Sequence, residues 1–123
     1  MEPVTATKER ERALQFLQQA VALVGVFGGE FDIGHALVCT AQARDRLDDA
    51  LNELMAAAVL EGQSLRAVAA QAGLAPNSVA ARMARSSGLA GYSTDGRVRA
   101  TDVRQARADK TAPLRFQRRR PTT

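Results

Sequence analysis

The sequence predicts a mainly α-helical fold, with an N-terminal helical hairpin followed by a helix-turn-helix. Three observations point there. The 123-residue chain is rich in alanine and leucine and has few β-branched runs, and alanine is the best helix former. Apolar residues recur every three or four positions over two long stretches, the mark of amphipathic helices. Glycines at 28, 29, 62 and 73 interrupt that pattern where one helix has to stop before the next. With no Trp, one Tyr and four Phe, the core has to be built from Ala, Leu, Val and Met. The length suits one domain with a modest core.

The first helix is expected from Thr7 to Val26. Ala13, Leu14, Phe16, Leu17, Ala20, Val21 and Val24 form its broad apolar face, and Lys8, Glu9, Arg10 and Glu11 its polar opening turn. "GGEFDIG" (28–34) ends it, and Asp32 is placed to cap a second helix over Ile33–Leu60. Ala36, Thr40, Ala43, Leu47, Leu51, Leu54 and Ala58 mark one stripe of that helix, with Arg44, Asp45, Asp48, Asp49 and Glu53 around it. The stripe weakens near 40–46, which leaves one long helix or two with a kink. Two such helices joined by a short turn make an antiparallel hairpin.

Gly62 suits the position after the helix end. Ser64 suits the cap of a short helix over Leu65–Ala72. Gly73 then supplies a left-handed turn, and Pro76 opens the next helix, Pro76–Ser86, where its missing N–H is not needed. Asp95–Gly96 is a two-residue hairpin signal, so 88–103 reads either as a short β-hairpin or as an extended loop. Thr101 is placed to cap a last helix over Asp102–Asp109. The chain thus divides into an acidic hairpin (1–61), a helix-turn-helix module with or without a wing (62–110), and a basic tail without a fold of its own (111–123).

Composition excludes several function classes. Cys39 is the sole cysteine, so no internal disulfide forms, and it reads as a small buried hydrophobe. His35 is the sole histidine, with no cysteine or second histidine spaced to share a metal. With no Cys/His cluster, no Gly-rich phosphate loop and no carboxylate pair that composition does not explain, an enzyme is not expected, nor is a cofactor or a small-molecule substrate. The start "MEPVTATKERER" is no signal peptide. The longest apolar run, Ala20–Phe27, falls far short of the roughly 20 residues of a membrane span. The expected setting is cytoplasmic, associated with the nucleoid.

Charge is distributed unevenly. Residues 1–61 hold five Lys or Arg against ten Asp or Glu, a net of −5, and residues 62–123 hold twelve against three, a net of +9. No acid occurs between Gly62 and Tyr92. Such asymmetry points to a polyanion for the second half.

Within "SLRAVAAQAGLAPNSVAARMAR" (64–85), each position suits a helix-turn-helix. Leu65, Val68 and Ala72 face inward, Ala69 is small where the next helix crosses, and Leu74 fills the space after the turn. Val79 and Met83, four apart, point inward together. Asn77, Ser78, Ala81, Arg82 and Arg85 remain on the outer face.

The stretch "VAAQAGLAPNSVAARM" resembles the helix-turn-helix of bacterial DNA-binding regulators. Its pattern is similar to the region-4-type module of extracytoplasmic sigma factors and of related two-component output domains. The chain also resembles small Ala/Arg-rich regulators of actinobacterial type, including those carried on mobile elements. About 25 residues carry the likeness, and Ala75 departs from it where a Ser or Thr cap is usual.

The resemblance implies that the second helix enters the major groove of double-stranded DNA. Asn77 then faces adenine, Arg82 or Arg85 guanine, and Ser78 a phosphate or base, with Ala81 keeping the helix slim. Arg66 falls near a phosphate. Arg97 and Arg99 reach adjacent phosphates or the minor groove as a wing does, and Arg118, Arg119 and Arg120 add salt-sensitive affinity. The expected function is a sequence-specific DNA-binding protein, a homodimeric transcriptional regulator paired through its acidic helices. The competing expectation is an adaptor that docks on the transcription machinery, or on another protein, through those same helices.

Overall fold

The computed structural model describes residues 5–111, and five α-helices account for most of them. They are α1 (Thr7–Val24), α2 (Ile33–Leu60), α3 (Leu65–Ala72), α4 (Pro76–Met83) and α5 (Ala100–Thr111), with a 3-10 turn at Ala90–Tyr92. The mainly α-helical class therefore holds. None of these helices is long and apolar enough to cross a membrane.

α1 and α2 form the antiparallel hairpin. Ala13 and Ala20 of α1, with Cys39, Ala43 and Ala50 of α2, are buried where the two helices meet. Such small side chains let the helices approach closely, but they leave larger neighbours outside the seam. Leu14, Val21 and Val24, expected on the buried face, are exposed, as are Leu47 and Leu54 of the predicted α2 stripe. At the open end of the hairpin, the Ala6 N–H donates to Glu61 Oε2 at 2.9 Å, and the Arg10 guanidinium donates to both Glu61 oxygens. Mainly through that side-chain bond, Arg10 draws the Glu61 carboxyl down to a pKa of about 2. At the turn end, the Phe27 ring meets Phe31 and His35 edge-on.

α2 is a single helix, not two. Asp32 caps it as expected, accepting from the His35 N–H at 2.7 Å. α1 stops at Val24 rather than Val26: the Gly25 N–H still bonds to the Val21 carbonyl, but the next bond, from the Phe27 N–H to the Val24 carbonyl at 3.3 Å, spans only three residues.

The main core surrounds the C-terminal half of α2. Met55, Val59 and Leu60 pack with Val68 and Ala69 of α3, Val79 and Met83 of α4, and Leu89, Val98, Val103 and Ala106 beyond. Charged groups penetrate it at one place. Glu9, 1% exposed, receives Lys110 Nζ at 3.5 Å and lies directly against Gly88, while Glu53 accepts the Ser87 N–H at 2.9 Å and its hydroxyl at 2.7 Å. This network ties α1, α2, α5 and the 86–89 loop together. On the other side of α5, the Tyr92 hydroxyl donates to Asp109 Oδ2 at 2.6 Å.

Two boundaries differ from the sequence expectation because a side chain takes an unforeseen partner. α4 ends at Met83, not Ser86, since the Ser86 hydroxyl folds back onto the Met83 carbonyl at 2.7 Å and accepts the Leu89 N–H. α5 begins at Ala100, and Thr101 does not cap it. Instead Asp102 reaches back to accept the Arg99 N–H at 2.8 Å.

Candidate nucleic-acid interface

The turn between α3 and α4 has the geometry that its residue types dictate. The Ser64 hydroxyl accepts the Ala67 N–H at 3.1 Å and starts α3. Gly73 takes a left-handed conformation, φ 70° and ψ 32°, which a side-chain-bearing residue would adopt only with strain. The Leu74 N–H returns to the Ala69 carbonyl at 3.0 Å. Pro76 then opens α4. Ala75 stands at the cap position in extended conformation and provides no side-chain acceptor, so the first N–H groups of α4 depend on the Ala75 carbonyl or an outside partner. Val79 and Met83 are fully buried and fix the rotation of α4 about its axis.

That rotation sorts the candidate residues. Asn77 and Ser78 are exposed on α4 and Ala81 is half-buried, while Arg85, expected on the same helix, is exposed two residues past its end. Arg82 does not face outward as expected. Its Nη1 reaches Asp48 Oδ1 at 3.5 Å and Asn52 Oδ1 at 3.4 Å on α2, and its side chain is 29% exposed. The position is three after Val79 and adjacent to Met83, so it falls on the edge of the buried face. The acids of α2, invisible to a local reading of the motif, claim its charge.

Region 88–103 resolves to a tight turn and not to paired strands. Asp95 and Gly96 both have positive φ, 54° and 73°, as a two-residue hairpin turn requires. A single bridge closes it: the Thr94 N–H donates to the Arg97 carbonyl at 2.8 Å, and the reverse bond is 3.1 Å. The Val98 N–H donates to the Ala80 carbonyl at 3.0 Å, which fastens this turn beside α4. Arg97 and Arg99, on either side of buried Val98, are exposed; Arg99 Nη1 bonds to the Thr94 carbonyl at 3.2 Å, leaving Arg97 as the more available cation. Arg118, Arg119 and Arg120 lie outside the described residues.

Arg66 is exposed on the first turn of α3. Near it the structure places a residue not singled out from the sequence. Arg104 of α5 borders a groove of about 300 Å³ that also takes in Ser64 and Leu65. Its neighbour Arg107 is structural, donating from Nε and Nη2 to the Val59 carbonyl at 3.0 and 2.6 Å and so capping α2. The three-residue spacing of Arg104 and Arg107 was the available signal, though not which of the two would be free.

Asn77 and Ser78 of α4, Arg85 just past its end, Arg97 on the turn fastened to α4, Arg66 of α3 and Arg104 of α5 thus remain free of acidic partners among the described residues. No group of three His, Cys, Asp or Glu side chains comes together there as a metal site; His35 instead lies 3.8 Å from Cys39 Sγ. Comparison with protein-family models, with curated proteins and with solved structures finds no match to this chain.

Proposed function

We propose that this chain is a sequence-specific double-stranded-DNA-binding protein, a dimeric transcriptional regulator that enters the major groove with the first turns of α4. The observation that carries the reading is the arrangement around α4. Buried Val79 and Met83 hold one face, Asn77 and Ser78 are exposed on the other, Arg85 is exposed just past the helix end, and the turn bearing Arg97 is bonded to α4 through Ala80. Asn pairs bidentately with adenine, and Arg with guanine. The helix N-terminus, lacking a side-chain cap at Ala75, offers the Asn77 N–H and a positive dipole end to a phosphate. Arg82 serves this reading head by bracing α4 against α2 rather than by touching a base.

Selection of bound sequences from a random DNA pool, followed by gel-shift titration at physiological salt, tests the reading. The expected result is a defined site, bound about 10³-fold or more tighter than random DNA. Arg85→Ala then relaxes one base position at a cost of about 1–3 kcal/mol, while Arg97→Ala weakens all sequences alike and lowers the salt slope by about one. Binding with no preference over random DNA overturns the proposal. The adaptor reading draws on the exposed apolar side chains of α1 and α2. It gains if Asn77→Ala and Arg85→Ala leave regulation intact while substitutions at Leu14 and Val21 abolish it.

A further inference from the structure

Among the described residues, the ten most exposed large apolar side chains, from 40% to 74% exposed, all lie between Leu14 and Leu54, on α1, α2 and their connection. Seven fall on one side of the hairpin: Leu14, Val21 and Val24 of α1, and Ile33, Leu37, Leu47 and Leu54 of α2. Steps of seven from Leu14 to Val21 and from Leu47 to Leu54 keep each pair on one helix face. On the other side a recess lined by Gln19, Gln42 and Arg46 together with Ala22 and Leu23 mixes polar and apolar groups. At about 100 Å² each, seven such side chains expose roughly 700 Å², more than the largest apolar patch of a typical monomer and close to one partner's share of a stable interface.

The shape and charge of this face fit a copy of itself. Along α2, positions 37, 40, 44, 47, 51, 54 and 58 alternate steps of three and four, the seam of helices that pack on helices. One end of the seam protrudes, with Leu37 at 67% exposure. The other end is hollow: a groove of about 150 Å³ lies between α2 and α3, lined by Leu51, Leu54, Ala58, Val68 and Ala72. Leu47 stands midway between protrusion and hollow. A two-fold axis there carries each Leu37 onto the other copy's groove. It also brings Arg44, which makes no ion pair among the described residues, to the region of Asp48 on the other copy.

We propose that two copies of this chain pair through this face, with the α2 helices antiparallel about a two-fold axis at Leu47 and Leu37 of each copy seated in the α2–α3 groove of the other. This deepens the dimeric part of the function proposed above and rests on that part alone.

Sedimentation velocity on the full chain without DNA, at about 1–100 µM, tests it, with helicity monitored to confirm folding. The wild type is expected to be a dimer. Leu37→Asp is expected to raise the dissociation constant about 100-fold or more, while Val26→Asp, exposed but off the face, changes it by less than about threefold. In a Cys39→Ser background, Leu47→Cys is expected to cross-link on mild oxidation and Val26→Cys is not, because a disulfide needs Cα atoms within about 7 Å. A wild type that stays monomeric overturns the proposal, including one that captures a different polypeptide through this face. So does a dimer indifferent to Leu37→Asp that fails to cross-link at Leu47→Cys. A dimer with the expected pattern that reads no DNA sustains this inference and overturns only the DNA reading.

Discussion

Arg82 of α4 reaches Asp48 of α2, Nη1 to Oδ1 at 3.5 Å, and the same nitrogen lies 3.4 Å from Oδ1 of buried Asn52. The contact joins the acidic half of the chain to the helix-turn-helix. It also takes out of the candidate interface the arginine that the motif presents most prominently. Arg82→Ala is therefore expected to cost about 1–2 kcal/mol of stability, because the largely buried Asn52 carbonyl oxygen loses its charged donor and the α2–α4 contact loses its tie. Urea unfolding measures that loss. The same substitution is expected to weaken DNA binding less than Arg85→Ala does; the reverse order would place Arg82 at a base.

Gly88 lies where a Cβ would stand 1.9 Å from Glu9 Oε2. Glu9 has little room to retreat, being buried and turned toward Lys110. Gly88→Ala is expected to destabilise by about 1–3 kcal/mol through overpacking. Glu9→Ala is destabilising too, since it leaves the half-buried Lys110 without its acid. In the double variant the clash is gone, so the two costs should sum to more than the double variant shows. A double-mutant cycle by urea unfolding reads this coupling, and strict additivity would contradict it.

Ala75 occupies the cap position of α4 with φ −71° and ψ 148°, a conformation that Ser or Asp adopts without strain. Ala75→Ser is expected to stabilise by about 0.5–1 kcal/mol, raising the thermal midpoint, because its hydroxyl can accept an N–H of the first turn. If that N–H group serves a phosphate, the same variant also lowers DNA affinity, which separates a structural role from a binding role.

Tyr92 is the only tyrosine, so its ionisation can be followed by ultraviolet absorbance without overlap. Donation to Asp109, aided by burial, pushes its pKa up to about 12. The bond favours the protonated phenol. Its contribution is therefore complete below the unfolded value near 10 and is lost as pH rises through about 12. Asp109→Asn is expected to bring the midpoint back toward 10.

Glu61 behaves in the opposite sense. Its carboxyl, held down to about 2 chiefly by Arg10, favours the charged form. Stability from this contact is present above the ordinary value near 4.5 and disappears as pH falls toward 2. The stability difference between wild type and Glu61→Gln, read from urea midpoints, should narrow over that window.

The signals that were legible from the sequence were local ones. Asp32 and Ser64 cap α2 and α3 as their side chains dictate, Gly73 takes the left-handed turn, and α2 and α3 have the expected bounds. The inward pair Val79 and Met83 was legible too, since four-residue spacing on a helix sets a common face. What failed at the helix ends turned on polar side chains folding back onto backbone three residues away, which apolar spacing does not reveal. The end of α4 turned on Ser86 folding back, and the start of α5 on Asp102 reaching to Arg99.

By itself, then, the sequence determined the helices, the caps of α2 and α3, the turn at Gly73, the division of charge between the two halves, and the exposed positions Asn77 and Ser78 on α4. These follow from interactions within a few residues. The tertiary structure alone decided which arginines are free, because the choice depends on acids and carbonyls more than 30 residues away. Asp48 holds Arg82 and the Val59 carbonyl holds Arg107, while Arg85, Arg97 and Arg104 take no such partner among the described residues. It also decided which apolar side chains stay uncovered. The hairpin closes on alanines, and so Leu14, Val21, Leu37, Leu47 and Leu54 are left outside the seam.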